Sequence, residues 1–156
     1  MIRRIVVLGL LAFALHAQRK YDGPRPPKPD TPYLKHASNL IPTESGTARE
    51  EKGKKDEITY IIDGAASPAK TPLASPIFLM ETAKLSPDQF GLYKLDVKNG
   101  HREITASPKK RLTSIRIEVE RLADRLYKIE VSQSLEAGEY SLSPEGSNQV
   151  FCFQVY

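Results

Sequence analysis

Apolar residues recur at every second position through much of this chain, and that period decides most of what it can become. Tyr60 and Ile62 follow Ile58, with Thr59 and Ile61 between them. Tyr93, Leu95 and Val97 alternate with Lys94 and Asp96, and Ile115, Ile117 and Val119 with Arg116 and Glu118. Tyr127, Ile129 and Val131 alternate with Lys128 and Glu130, Tyr140 and Leu142 with Ser141 and Ser143, and Phe151, Phe153 and Val155 with Cys152 and Gln154. Successive side chains of a strand point to opposite faces, so each run reads as a half-buried strand. β-branched and aromatic residues suit that setting. Pro76 to Met80 adds a short apolar run, and Leu85-Ser86-Pro87-Asp88 reads as a turn. Asn99-Gly100 stands between two such runs, the pairing demanded by a type I′ hairpin in which both central residues take positive φ.

The expectation is an all-β fold, a sandwich of seven or eight short antiparallel strands. One segment also supports a second reading. Leu112, Ile115, Val119, Leu122, Leu126 and Ile129 form a heptad stripe, which a helix near 113–130 would bury and which would make the fold α+β. Against the helix, Ile117 and Tyr127 lie off the stripe and Ile-Arg-Ile-Glu-Val is rich in branched residues. The hairpin, turning over Arg121 to Arg125, is the reading adopted, with the helix as the alternative.

Cys152 is the only cysteine, so no intramolecular disulfide can form and stability rests on an apolar core. There is no tryptophan, which leaves that core to Ile, Leu, Val, Phe and Tyr.

The N-terminus has a different texture. Met1-Ile2-Arg3-Arg4 is basic and Ile5 to Leu15 is an uninterrupted apolar run of about 11 residues, too short for the ~20 that span a bilayer. This is the pattern of a secretory signal peptide over 1–17, cut after Ala17 or after Ala14. The protein is expected outside the cytoplasm, periplasmic or extracellular, touching a membrane only through this segment if it is not removed. Residues 18–57 carry six of the twelve prolines and a nearly all-charged end, Ala48 to Glu57, and read as a proline-rich flexible linker. The domain is then 58–156.

The net charge of +4 hints at nucleic acid, but its distribution argues against it. Residues 58–156 hold twelve basic and twelve acidic side chains, so the expected domain is neutral and has no phosphate-neutralising face. Lys109-Lys110-Arg111, its one basic cluster, reads as a solvated loop.

The tail holds the most specific pattern: Leu135-Glu136-Ala137-Gly138-Glu139-Tyr140, then a loop and Val150 to Val155. It resembles the L-x-x-G-x-Y turn and closing strand pair of immunoglobulin-like β-sandwiches in exported bacterial proteins. The resemblance covers about the last forty residues, with Leu126 to Ile129 fitting the strand before the turn. It implies a structural corner at Leu135, Gly138 and Tyr140, in which the tyrosine ring is buried and its hydroxyl bonds nearby backbone. The cysteine pair and core tryptophan of antibody domains are absent. The resemblance speaks to fold and says little about function.

Little chemistry can be assembled from the rest. After the signal the chain has two histidines, His36 and His101, and one cysteine, too few and too scattered for a zinc site. Cys152 between two phenylalanines reads as a packed, inert thiol. No nucleophile elbow, H-E-x-x-H or phosphate loop occurs. Asp96, Glu103, Glu118 and Glu120 could in principle pair as glycosidases require, but each alternates with apolar residues and should face solvent. The seven tyrosines fall mostly on the core side of the alternation.

The sequence therefore points to an exported, non-enzymatic binding or assembly module, with no cofactor, metal or nucleic acid. Its expected partner is another protein or an envelope macromolecule. A secreted, carbohydrate-active enzyme with paired carboxylates and a structural subunit of an envelope complex are the alternatives.

Overall fold

A computed structural model describes residues 20–156. The expected signal segment, its cleavage points included, lies outside the described residues. Thirteen strands follow one another: β1 Tyr33–His36, β2 Asn39–Pro42, β3 Glu44–Thr47, β4 Arg49–Lys52, β5 Ile58–Asp63, β6 Lys70–Thr71, β7 Ile77–Glu81, β8 Phe90–Lys98, β9 His101–Ala106, β10 Ile117–Ala123, β11 Leu126–Val131, β12 Gly138–Pro144 and β13 Gln149–Val155. Among the described residues only two single 3-10 turns interrupt them, at Lys54–Asp56 and Pro87–Gln89.

The strands form a β-sandwich of two sheets. One has the order β10-β11-β7-β1-β2, the other β3-β13-β12-β8-β9-β5-β4 with β6 added beside β13. All pairing is antiparallel except the short β6–β13 ladder. Phe78 of the first sheet meets Phe153 of the second edge-on, with ring centroids 5.0 Å apart. Around that contact Leu34, Met80, Ile129, Leu92, Leu142 and Phe151 close a fully dry core. All-β character and sandwich architecture thus follow the alternation. The strand count exceeds seven or eight because several short edge strands carry no alternation to announce them.

The second sheet does more than cover the first. β3 and β4 stand at opposite ends of its order, yet only Ala48 separates them in the chain. Val150 lies opposite Gly46 and Tyr60 opposite Glu50, so the first half of a single strand, Glu44 to Lys52, borders β13 and its second half borders β5. The Ala48 amide donates to the Asn148 carbonyl at 2.8 Å across the join. The sheet therefore curls into a ring. It is loosest beside β8, which pairs with β9 only from Asp96 to Lys98. Earlier in β8, Leu92 is instead bridged by Ile115.

Two sequence expectations are corrected here. The segment 18–57, read as a flexible spacer, supplies four strands, with Leu34 fully buried and Tyr33 opposite Leu79. Five of its prolines precede the ladders and Pro42 closes β2 opposite Tyr33, while Pro32 offers its carbonyl to the Thr43 amide and hydroxyl, at 3.1 and 2.7 Å. Asp30 fastens the segment further, its carboxylate accepting from the amides of Ala83, Lys84 and Leu85 at 2.8 to 3.0 Å. Burial alone would raise that carboxyl, but the three backbone donors outweigh it and hold it low. The folded unit therefore begins well before Ile58. The second correction concerns 113–130, where the helix alternative gives way to the β10–β11 hairpin. Its turn is tighter than Arg121 to Arg125: Ala123 pairs with Leu126, and Arg125 takes positive φ.

Candidate functional site

β12 and β13 are buried on both faces, and so is β8 over Phe90 to Leu92, whereas its Lys94 and Asp96 to Lys98 are exposed. Their Leu92, Tyr140, Leu142, Phe151 and Phe153 point to the first sheet. Leu95, Val150 and Cys152, one position out of phase, point into the ring and pack there with Ala48, Ile62, Tyr60 and Ile104. Small and polar residues take the inward positions of β12: Glu139, Ser141 and Ser143. A sheet curled over such side chains is not filled by them.

The unfilled space is a cavity of about 370 Å³. Its apolar wall is Ile62, Leu95, Ile104 and Val150, with Leu112 of the loop after β9 also lining it. Tyr60 and Tyr93 bring two phenol rings, and Glu50, Glu145 and Asn148 supply the polar groups of the lip. The Asn148 side-chain amide donates to Glu50 Oε1 at 3.0 Å, which ties the β12–β13 loop to β4. Tyr93 lies back along its own strand over Gly91, where a Cβ would stand 2.5 Å from the phenol oxygen. Burial raises the Tyr93 hydroxyl, and the nearby charge of Glu145 raises it further.

A buried charge cluster occupies another part of the ring, clear of the cavity lining. Arg102 is wholly buried and on the same face of β9 as Ile104. Its guanidinium clasps Glu44 through two bonds of 2.6 and 3.0 Å, and donates to the carbonyls of Gly64 and Asp63 at 2.8 and 2.7 Å. Burial would raise the Glu44 carboxyl, but Arg102 overrides it and holds it low. Glu139, 3 % exposed, stands 3.8 Å from the same guanidinium. Its Oε2 accepts from the Ser67 amide at 3.0 Å, while Oε1 is buried with no partner. One guanidinium thus faces two carboxylates and engages one of them. Burial pushes the other, Glu139, up, and Ser67 and Arg102 do not cancel that rise.

The residues singled out by sequence lie elsewhere. Tyr140 forms its corner: the ring is buried and stacks on Phe153, and the hydroxyl donates to the Glu136 carbonyl at 2.8 Å. Leu135 is buried beside it, its amide donating to the Ala74 carbonyl, and Gly138 opens β12. This corner faces the sandwich core, across the sheet from the cavity. Asn99 and Gly100 turn the β8–β9 hairpin with φ of 50° and 77°, exposed and away from the cavity. His101 does meet a carboxylate, Glu103 at 2.6 Å, but on the opposite face of β9 from Arg102 and Ile104. Asp96, Glu118 and Glu120 are exposed. Cys152 is fully buried, and burial pushes its thiol up to about 11. Among the described residues no group of three or more His, Cys, Asp or Glu is placed to hold a metal ion.

Arg102, Glu44, Glu139 and the cavity itself were not foreseen. One signal was available: Arg102 shares its strand parity with Ile104, which places it inward wherever Ile104 is inward. Scans of the chain against protein-family models, curated proteins and solved structures gave no match.

Proposed function

We propose that this protein is an exported, non-enzymatic β-sandwich that works by binding, with the ring cavity as its ligand site and the immunoglobulin-like sandwich behind it as scaffold. The cavity carries this reading. At about 370 Å³ it falls in the ~300–1,000 Å³ range of small-molecule sites, and it combines an apolar wall with a few polar groups at the lip. The Tyr140 corner supports immunoglobulin-like character, and the basic and apolar texture of 1–17 supports export.

The carbohydrate-active reading has less behind it. Glu50 and Glu145 both line the cavity, but Glu50 is tied to Asn148. Glu139, whose carboxyl burial raises as a general acid would need, lies off the lining. An assembly role would use β2 and β10, which end the five-stranded sheet among the described residues. Glu118, Glu120 and Arg121 on β10 are charges that discourage strand addition. Among the described residues the exposed large apolar side chains are Leu73, Val97 and Tyr156; Leu73 and Tyr156 both lie beside Thr71, whose carbonyl accepts from the Tyr156 amide and whose hydroxyl accepts from the Leu73 amide, and no strand carries more than one of the three.

The test is native mass spectrometry of the full chain recovered from the cells that produce it. A small-molecule adduct is expected, together with an intact mass lacking residues 1–17. Ser143→Phe, which fills the cavity from β12, should lose the adduct and keep the fold. Protein that carries no adduct and gains no thermal stability from any member of a small-molecule library overturns the reading.

A further inference from the structure

We infer that the cavity selects a small apolar amine in its protonated form, an inference that rests on the cavity being a ligand site. Three features point to a cation. Glu50 and Glu145 are the charged side chains among the lining residues, and no lysine, arginine or histidine accompanies them. The basic run Lys109-Lys110-Arg111 immediately precedes Leu112, yet only Leu112 contributes to the lining. The two phenol rings, Tyr60 and Tyr93, offer the electron-rich faces on which an ammonium group rests favourably.

The arrangement also sets the ligand's polarity along its length. Ile62, Leu95, Ile104 and Val150 give the wall hydrocarbon and nothing to pair with a charge, so the apolar body goes there. Glu50 and Glu145 are exposed, so the ammonium group belongs at the lip, where it keeps part of its hydration. Gly91 holds this geometry open. Any side chain there would meet the Tyr93 ring, 2.5 to 2.8 Å from the added carbon, and lift it from the strand. An anionic ligand of the same body would face two carboxylates without a counter-charge.

The experiment compares three probes of one shape: 2-phenylethylamine, 2-phenylethanol and 3-phenylpropionate. Each is titrated into the full chain while the methyl resonances of Ile62 and Ile104 are followed by NMR. The amine is expected to bind about tenfold tighter than the alcohol, the sum of a modest exposed ion pair and a cation–π contact, and the carboxylate weakest. In the Glu50→Gln, Glu145→Gln double variant the amine's preference over the alcohol should shrink to the smaller margin that the two phenol rings supply, and an undiminished preference overturns the role of the two carboxylates. Equal binding of amine and alcohol to the unaltered protein overturns the selectivity and leaves the ligand site standing. If none of the three moves the Ile62 and Ile104 methyls, the ligand site falls and the inference with it.

Discussion

β8, β12 and β13 present two faces to two different interiors. Toward the five-stranded sheet they set Phe90, Phe151, Phe153, Tyr140 and Leu142, and the space is closed by interlocking rings. Toward the ring they set Leu95, Ser141, Ser143, Val150 and Cys152, and the space holds a cavity and a buried guanidinium. The backbone is common to both, so the difference lies in side-chain volume and polarity. Large side chains on one face supply cohesion, and small ones on the other leave room. Close packing and open space are thereby separated onto opposite sides of three strands.

Neighbouring residues on one strand give the largest test of that separation. Phe153→Ala empties part of the dry core and should cost about 3–5 kcal/mol. Cys152→Ala, one residue away on the other face, should cost well under half of that. Chemical denaturation of both variants decides it, and equal losses would mean that the two interiors are one.

Inside the ring the greatest effect should come from Glu44→Ala. It strips Arg102 of its bidentate partner and leaves a guanidinium with no exposure. The expected loss is about 2–3 kcal/mol, below the figure for a fully buried pair because the Glu44 side chain is 28 % exposed. Equilibrium unfolding in urea would read it, and a neutral result would show that Glu139 takes over as counter-ion.

On the cohesive side Tyr140→Phe is milder. It keeps the ring against Phe153 and removes only the bond to Glu136, so about 1–2 kcal/mol is expected from the same measurement. A variant as stable as the parent would remove the corner from the list of supports for an immunoglobulin-like scaffold.

The smallest effect is one of pH, and the two acids beside Arg102 pull it in opposite directions. Glu139 has a raised carboxyl in the folded state, so folding takes up a proton and stability falls as pH rises from the ordinary glutamate value through the raised one. Glu44 is held low, and its contribution is present above the ordinary value and lost as pH falls through the lowered one. Glu139→Gln should abolish the first decline and spare the second. Its Tm relative to the parent should therefore rise between mildly acidic and neutral pH. A constant difference across that range would show that Glu139 is charged throughout.

The sequence displayed the strands from Ile58 onward, apart from the two-residue β6, because a sheet face against a core imposes period two, and Asn99-Gly100 marked its own turn. It displayed the Tyr140 corner for a similar reason, since the corner is built within six consecutive residues. The four early strands were hidden: Glu44–Thr47 and Arg49–Lys52 contain no large apolar side chain, and they are strands through the hydrogen bonds of their neighbours. The second interior was hidden too. Ser141 and Ser143 alternate with large residues and so resemble a solvent face, although β12 and β13 are covered on both sides. Arg102 gave no local sign of burial, because the carboxylate that neutralises it lies 58 residues earlier in the chain.

The strand from Glu44 to Lys52 has a consequence for the order of folding. Its second half needs only the nearby β5, but its first half needs β13, and across the join Glu50 is bonded to Asn148, 98 residues away. Closing so long a loop costs entropy before any contact repays it, and folds dominated by such pairings form slowly. While the chain is being made, the ring cannot shut until its final strand has appeared. Until then two sheet edges stand open with unpaired amides and carbonyls, which makes the interval before closure the time when this protein is most exposed to mispairing.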